Sequence, residues 1–210
     1  MVRRMLIAAL GAMVLILGST FGFAQSRAPL NNQERVAGEG FRGSLVNVTW
    51  DCQHAPAQLD KLSLDFFLTR DLRDGDTIYI APLFGRINGQ GFYSGLQTDV
   101  RGWKSKVDRT DVQIGRGLIF SRWAENGGRL PLNYADGDSS AIYESDNYEG
   151  SFVSVRKPFR WTRGVWRLEI RRQTTPDKDP RYSWFRSYLI DTRSGDEIWI
   201  GSLRFDGNSF

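Results

Sequence analysis

Apolar and polar side chains alternate along several short segments of this chain from residue 44 onward. In residues 61–69 the leucines and Phe66 fall at every second position, and residues 92–100 and 165–171 repeat this pattern. A period of two is typical of a half-buried β-strand, whereas an amphipathic helix repeats its apolar positions every three or four residues. No segment longer than a turn or two has the helical spacing. The pattern therefore predicts a chain built from strands.

Turn residues divide the chain into many such segments at roughly even spacing. Gly-containing turns are predicted at residues 73–76, 88–91 and 194–196, where Asp-Gly and Asn-Gly pairs are typical of hairpins. Further strands are predicted at residues 45–50, 77–81, 118–123, 148–155, 182–190 and 197–205, with a long loop at 126–140. Many short strands in a helix-poor chain favour an all-β, mainly antiparallel two-sheet β-sandwich. One face of the strands is expected to form its core, namely Phe66, Leu96, Leu118, Phe120, Leu168 and Ile170.

Residues 1–24 have the layout of an export signal. Arg3 and Arg4 precede a continuous apolar run, and the small residues Gly22 and Ala24 stand at the two positions that a signal peptidase reads for cleavage after Ala24. An uncleaved membrane anchor is the alternative, but the apolar run is short for the ~20 residues that a span requires. We therefore expect a secreted or periplasmic protein without membrane contact after cleavage. Residues 25–43 are predicted to be a flexible arm, and residues 44–210 a single sandwich domain.

Charge and composition exclude several classes of function. Without Arg3 and Arg4, 26 basic residues stand against 24 acidic ones, and the arginines are scattered among acids, which argues against a nucleic-acid partner. Cys52 is the only cysteine, so it is either buried or paired with a second chain, and the oligomeric state stays open. His54 is the only histidine, which argues against histidine metal sites and histidine-dependent triads.

The aromatic content is the first candidate for chemistry. Seven Trp and seven Tyr exceed what a core requires, because their N–H and O–H groups need partners when they are buried. Exposed rings offer flat platforms that stack on the C–H face of a sugar. The candidate ligand-binding residues lie on the central predicted strands or at their ends: Tyr93, Gln97, Trp103, Arg122 and Trp123. The alternative is that the rings close the ends of the sandwich or cover loops.

Three acids form the second candidate. Glu144, Asp146 and Glu149 have an E-x-D-x-x-E spacing that resembles the catalytic strand of bacterial β-glucanases and laminarinases. The resemblance implies Glu144 as nucleophile, Asp146 as the group that tunes it, and Glu149 as general acid. A retaining hydrolase needs two carboxyl groups about 5–5.5 Å apart, which a bulged strand can provide. The intervening Ser, Asp and Asn also favour a turn at residues 145–147, which would point the glutamates apart.

A loop with Asn133, Asp136 and Asp138 offers oxygen atoms of the kind that Ca²⁺ binds. It lacks the full Asp-x-Asp-x-Asp-Gly loop with a distant Glu, so turn chemistry is the preferred explanation. We therefore predict no metal site and no cofactor, and keep calcium as the alternative.

Four motifs carry a resemblance to a known family. They are Gly91-Phe92-Tyr93-Ser94-Gly95-Leu96-Gln97, Leu118-Ile119-Phe120-Ser121-Arg122-Trp123, Tyr148-Glu149-Gly150-Ser151-Phe152 and Trp161-Thr162-Arg163-Gly164-Val165-Trp166. Their order and spacing resemble a family of uncharacterised, mostly exported bacterial domains among the concanavalin A-like lectin and glucanase sandwiches. The resemblance covers residues 78–172 and implies a jelly-roll sandwich whose concave face binds glycans in related folds.

We therefore expect an exported carbohydrate-binding sandwich that recognises a glycan at a surface cleft. Two alternatives stay open. One is a glycoside hydrolase that uses the three acids, and the other is a non-catalytic envelope protein that binds a partner. A binder needs exposed rings, a hydrolase needs convergent carboxyl groups in a groove, and a scaffold needs neither.

Overall fold

Strands account for most of this chain in its computed structural model, which describes residues 60–72, 76–147, 150–173 and 181–207. Of these residues, 66% lie in strands, and the 3₁₀ turn Leu132–Tyr134 is the only helical element among them. The all-β prediction is confirmed. The predicted export signal, the arm and the strand at 45–50 lie outside the described residues, as do Cys52 and His54.

Two five-stranded sheets, with antiparallel pairing throughout, contain the strands of the described part of the chain. The strands are β1 Lys61–Leu68, β2 Tyr79–Ile87, β3 Gln90–Trp103, β4 Asp111–Trp123, β5 Ala135–Asp136, β6 Ile142–Asn147, β7 Gly150–Pro158, β8 Gly164–Arg172, β9 Tyr182–Asp191 and β10 Glu197–Asp206. The first sheet has the order β1-β8-β9-β10-β5, and the second has the order β2-β3-β4-β7-β6. The predicted antiparallel two-sheet β-sandwich is therefore confirmed.

The core lies between the sheets and follows from strand alternation. All six residues predicted to be buried are buried, namely Phe66, Leu96, Leu118, Phe120, Leu168 and Ile170. The rings of Phe92 and Phe120 on the second sheet pack against Phe205 of the first, with centroids 6.4 Å apart in each case. One polar contact also crosses the core, where the hydroxyl oxygens of Ser94 and Ser187 lie 2.7 Å apart.

The central hairpins are longer than the sequence pattern predicts. Strand β2 continues to Ile87, past the expected end at residue 81, and the charged connector before Leu118 is already part of β4. The turn predicted at 88–91 contains only Asn88 and Gly89 outside the strands, with φ values of 50° and 80°. Positive φ at both central residues is typical of the two-residue type I′ hairpin. This short turn fixes the register of β2 against β3.

Two predicted irregular segments contain regular structure. The loop expected at residues 126–140 includes the 3₁₀ turn and β5, which pairs with β10 through Ala135 and Leu203. The turn expected at 145–147 is wrong, because these residues form the end of β6. A bulge lies between Ser145 and Asn147, with Asp146 at a φ of 49°. An Asp tolerates this left-handed conformation better than most residues, so the turn-like composition produces a bulge.

Tyr143 of β6 makes the stability of the fold sensitive to alkaline pH. Burial, assisted by Asp136 and Asp138, raises the pKa of Tyr143 to about 12 from 10.0. The folded state therefore keeps the phenol protonated while the unfolded chain ionises near its ordinary pKa. The stabilisation that the protonated phenol contributes is fully present below pH 10 and is lost as the pH rises from 10 to 12.

Between pH 10 and pH 12, we expect the free energy of unfolding to fall by about 2 kcal/mol more in the wild type than in Tyr143→Phe. Urea titrations followed by circular dichroism at pH 9, 10, 11 and 12 would measure the difference. Parallel pH profiles for the two proteins would contradict the assigned environment of this phenol.

Candidate functional site

Four aromatic residues lie together on the outer face of the second sheet, on three of its five strands, β2, β3 and β4. They are Tyr79, Phe84, Tyr93 and Trp123, and we call them the aromatic patch. The rings of Tyr93 and Trp123 have centroids 4.8 Å apart, and Tyr79 meets Tyr93 edge-on at 5.6 Å. Tyr79 is 45% exposed and Phe84 is 54% exposed. Tyr79 and Phe84 therefore present ring surface on the face opposite the core, whereas Tyr93 is buried at 9% exposure and Trp123 is half-buried.

Strand alternation places these rings on the outer face. Phe92 and Leu96 belong to the core cluster, so Tyr93 points to the other side of β3. Its register partners are Phe84 on β2 and Ser121 on β4. The three strands therefore carry their outward side chains in one row across the sheet.

Two glycines make room for this arrangement. A Cβ atom added at Gly91 would lie 3.9 Å from the Trp123 ring, so the ring occupies the space beside a residue without a side chain. A Cβ atom at Gly95 would lie only 1.9 Å from the Ile80 carbonyl oxygen. The backbone of β2 therefore lies directly against Gly95, at the bulge between Ile80 and Leu83. This contact positions the end of β2 that carries Tyr79.

A row of polar side chains continues from the aromatic patch toward β6. Tyr93, Ser121, Ser154 and Glu144 are register partners on β3, β4, β7 and β6. The Ser121 hydroxyl donates to the Ser154 hydroxyl at 2.7 Å, and Arg156 Nε donates to the same Ser154 oxygen at 3.1 Å. Arg156 also forms an ion pair with Glu144. We call Ser121, Ser154, Arg156 and Glu144 the polar strip.

The strip is unusual because it is well covered although it faces away from the core. Ser121 and Ser154 are buried, and the side chains of Arg156 and Glu144 are only 10% and 24% exposed. Partial burial reduces solvent screening of the attraction between the two charges, while it also costs desolvation of each group. Its hydrogen-bonding groups are held in one geometry, as an oriented binding site requires.

Three of the five predicted ligand-binding residues share this face. Tyr93 and Trp123 are in the aromatic patch, and half-buried Gln97 lies two outward positions further along β3, opposite Tyr79. Trp103 does not join them. It ends β3 opposite Asp111, roughly 30 Å along the strand from Tyr93, with the Arg109 guanidinium 4.5 Å from its ring centroid.

Arg122 lies on the opposite side of β4 from Trp123 and is 1% exposed. Its guanidinium lies 4.9 Å from the Phe205 ring centroid, donates to the Arg204 carbonyl and pairs with Asp206 at 3.5 Å. Burial lowers the pKa of Arg122, and Asp206 partly offsets that effect. The structure therefore places Arg122 in the sandwich interior, away from the aromatic patch.

The three acids of the hydrolase hypothesis have different surroundings. Glu144 belongs to the polar strip and is held by Arg156. Asp146 accepts a hydrogen bond from Ser151 at 2.7 Å and pairs with Arg129 at 3.4 Å. Glu149 lies outside the described residues.

The loop considered for calcium has its carboxylates paired with lysines. Asp136 pairs with Lys106 at 3.2 Å, and Asp138 pairs with Lys157. Hydrogen bonds from Lys157 and Ser140 hold the pKa of Asp138 below its ordinary value. Within the described ranges, no group of three or more His, Cys, Asp or Glu side chains is arranged to hold a metal ion.

Sequence reasoning missed Tyr79 and Phe84, although one signal for Phe84 was present. A two-residue Asn88-Gly89 hairpin pairs Ile87 with Gln90, and counting back along β2 then places Phe84 opposite Tyr93. Tyr79 lies beyond the β2 bulge, which shifts the register, so no count from the turn could have placed it.

Comparison with known proteins does not assign this chain to a family. Neither the scan against protein-family models nor the search among curated proteins found a match to this chain. In the part of the chain that the structure describes, no helix is long and apolar enough to cross a membrane.

Proposed function

We propose that this chain is a carbohydrate-binding β-sandwich whose recognition surface is the aromatic patch together with Gln97 and the polar strip. The observation that carries the proposal is the meeting of four aromatic residues on three adjacent strands, on the sheet face opposite the core cluster. Two of these rings are about half exposed. Exposed rings on a rigid sheet form a platform for the apolar face of a sugar, and they lose little entropy on binding.

The polar strip provides the second element that sugar recognition requires. Glu144 offers acceptor oxygens and Arg156 offers donors, which together suit the hydroxyl groups of a sugar. Ser121 and Ser154 are buried, so their role is to orient Arg156. Neighbouring strands are about 4.8 Å apart, so the five strands from β2 to β6 span roughly 19 Å. This length fits an oligosaccharide better than a monosaccharide.

Export, predicted from residues 1–24, would place this surface where polysaccharides are found outside the cytoplasm. The concanavalin A-like resemblance carried by the motif around Tyr93 agrees with a glycan-binding sheet face. Both remain predictions, and they support the proposal without carrying it.

Trp123→Ala is expected to remove glycan binding while leaving the fold intact. Trp123 is half-buried and provides the ring nearest to Tyr93, so its loss removes the β4 side of the platform. A glycan array probed with the full chain and with the variant would measure the effect. The matched control is Phe67→Ala, because Phe67 is an exposed aromatic residue on the outer face of the other sheet.

The proposal is supported if the wild type and Phe67→Ala bind the same glycans and Trp123→Ala binds none of them at the same melting temperature. It is wrong if Trp123→Ala keeps the full binding profile. Absence of binding by the wild type to any glycan would favour the partner-binding alternative.

The alternative function, a glycoside hydrolase, is favoured by one observation: Glu144 lies on the same face as the aromatic patch. A hydrolase would release sugar from the glycans that the array identifies, and Glu144→Gln would abolish the release. Binding without release is the outcome that our proposal expects.

A further inference from the structure

The outer face of the first sheet carries arginines among aromatic side chains along β9 and β10. The outward residues of β9 include Tyr182, Trp184, Arg186 and Tyr188, and those of β10 include Trp199 and Arg204. All six are half-buried. We call these six residues the arginine face. It is separate from the aromatic patch, which lies on the other sheet.

On this face the guanidinium groups lie over the rings. Arg186 is 5.7 Å from the Trp199 ring centroid. Arg204 is 3.4 Å from the ring centroid of Tyr182 and 4.3 Å from that of Tyr134. Stacking on rings holds an arginine in place without neutralising its charge.

Two other arginines on the same sheet, Arg167 and Arg171, pair with carboxylates, and Arg167 does so with Asp65. Arg171 pairs with Glu169 and Glu197. Among the described residues, Arg186 and Arg204 have no carboxylate partner within 4.0 Å; their side chains donate to Gln173 at 3.1 Å and to Tyr134 at 3.3 Å. Among the described residues, these two side chains therefore donate few of their N–H groups.

Strand register places these two charges side by side. Arg186 is opposite Ser202, two residues before Arg204 on β10, and such diagonal neighbours are about 7–8 Å apart. Arg204 Nε and Trp199 Nε1 are buried without a hydrogen-bond partner among the described residues, so a ligand on this surface meets the terminal guanidinium nitrogens rather than these two atoms. The face thus offers donors and positive charge, and an anion would satisfy both.

We infer that the arginine face binds an acidic polysaccharide through its carboxylate groups. A guanidinium forms two parallel hydrogen bonds with a carboxylate, and two arginines on adjacent strands can hold successive charged sugars of one chain. Single-stranded nucleic acid fits less well, because it needs ring faces open for base stacking. Here Arg204 covers Tyr182 and Tyr134, and Arg186 covers one face of Trp199.

The test uses polygalacturonate as the acidic probe and the full chain as the protein, with binding measured by calorimetry at 20 and 200 mM NaCl. We expect binding that weakens with salt, and a loss of at least tenfold in affinity in Arg186→Gln and in Arg204→Gln. Arg193→Gln is the matched control, because Arg193 is a highly exposed arginine in the hairpin between β9 and β10. The control should bind as the wild type does.

Trp123→Ala should also keep full affinity for polygalacturonate, which separates this inference from the proposed function. If Arg204→Gln fails to fold, the result for Arg186→Gln alone tests the inference, since among the described residues the Arg186 side chain loses the hydrogen bond to Gln173 and the stacking on Trp199. The inference is overturned if folded variants bind as tightly as the wild type. It is equally overturned if the wild type prefers a single-stranded oligonucleotide to polygalacturonate.

Discussion

Phe120→Ala is expected to lower the free energy of unfolding by about 3–5 kcal/mol. Phe120 is fully buried at the centre of β4, and its ring lies 6.4 Å from the rings of both Phe92 and Phe205. Because these neighbours belong to opposite sheets, the vacated space cannot be filled without moving the sheets together. Equilibrium unfolding in guanidinium chloride, followed by circular dichroism, would measure the loss.

Phe84→Ala is the control for the same chemical change on the neighbouring hairpin. Phe84 is largely exposed on β2, so its truncation should cost less than about 1 kcal/mol. A Phe120→Ala protein that is as stable as Phe84→Ala would show that β4 does not pass through the centre of the sandwich.

Gly95→Ala is the second substitution with a large expected effect, a loss of about 3 kcal/mol. The added methyl group would lie 1.9 Å from the Ile80 carbonyl oxygen and 2.8 Å from the Ala81 Cα atom. These are backbone atoms of the adjacent strand, so relief requires β2 to move away from β3. Because that movement displaces Tyr79 from Tyr93, glycan binding should fall together with stability.

Gly85→Ala provides the matched control in the same pair of strands. Its Cβ atom would meet the Phe92 ring at 3.6 Å, an ordinary contact, so stability and binding should stay close to those of the wild type. Thermal unfolding of the two variants makes the comparison. Equal melting temperatures would contradict the close approach of β2 at Gly95.

The sequence was sufficient where alternation is regular and turns flank the segment. The strand predicted at residues 165–171 is β8, Gly164–Arg172, and that predicted at 182–190 is β9, Tyr182–Asp191. In β8, large apolar residues alternate with charged ones, and a one-residue shift would bury the charges. Register is therefore strongly specified by local sequence in this part of the fold.

The candidate site was harder to predict, because its members are brought together by non-local contacts. Arg122 was grouped with Trp123 because both lie at the end of the same predicted strand, although alternation with Phe120 already placed Arg122 on the inward face. What makes an interior arginine tolerable is its contact with the Arg204 carbonyl and with Asp206. Both partners are more than 80 residues away in the chain, so no local pattern could have indicated them.

The two outer faces of the sandwich differ in what their rings offer. On the second sheet Tyr79 and Phe84 are among the most exposed large apolar residues of the described part of the chain. On the first sheet the guanidinium of Arg204 lies over two tyrosine rings. Ring stacking is therefore expected on one face and charge recognition on the other.

The central claim is that the aromatic patch contacts a glycan, and the indole N–H signals of the ¹⁵N-labelled protein test it most directly. The chain has seven tryptophans, and substitution of single residues assigns their signals. On titration with the strongest glycan from the array, our account predicts that the Trp123 signal shifts while those of Trp184 and Trp199 stay in place. A shift of Trp184 or Trp199 with an unchanged Trp123 signal would contradict it.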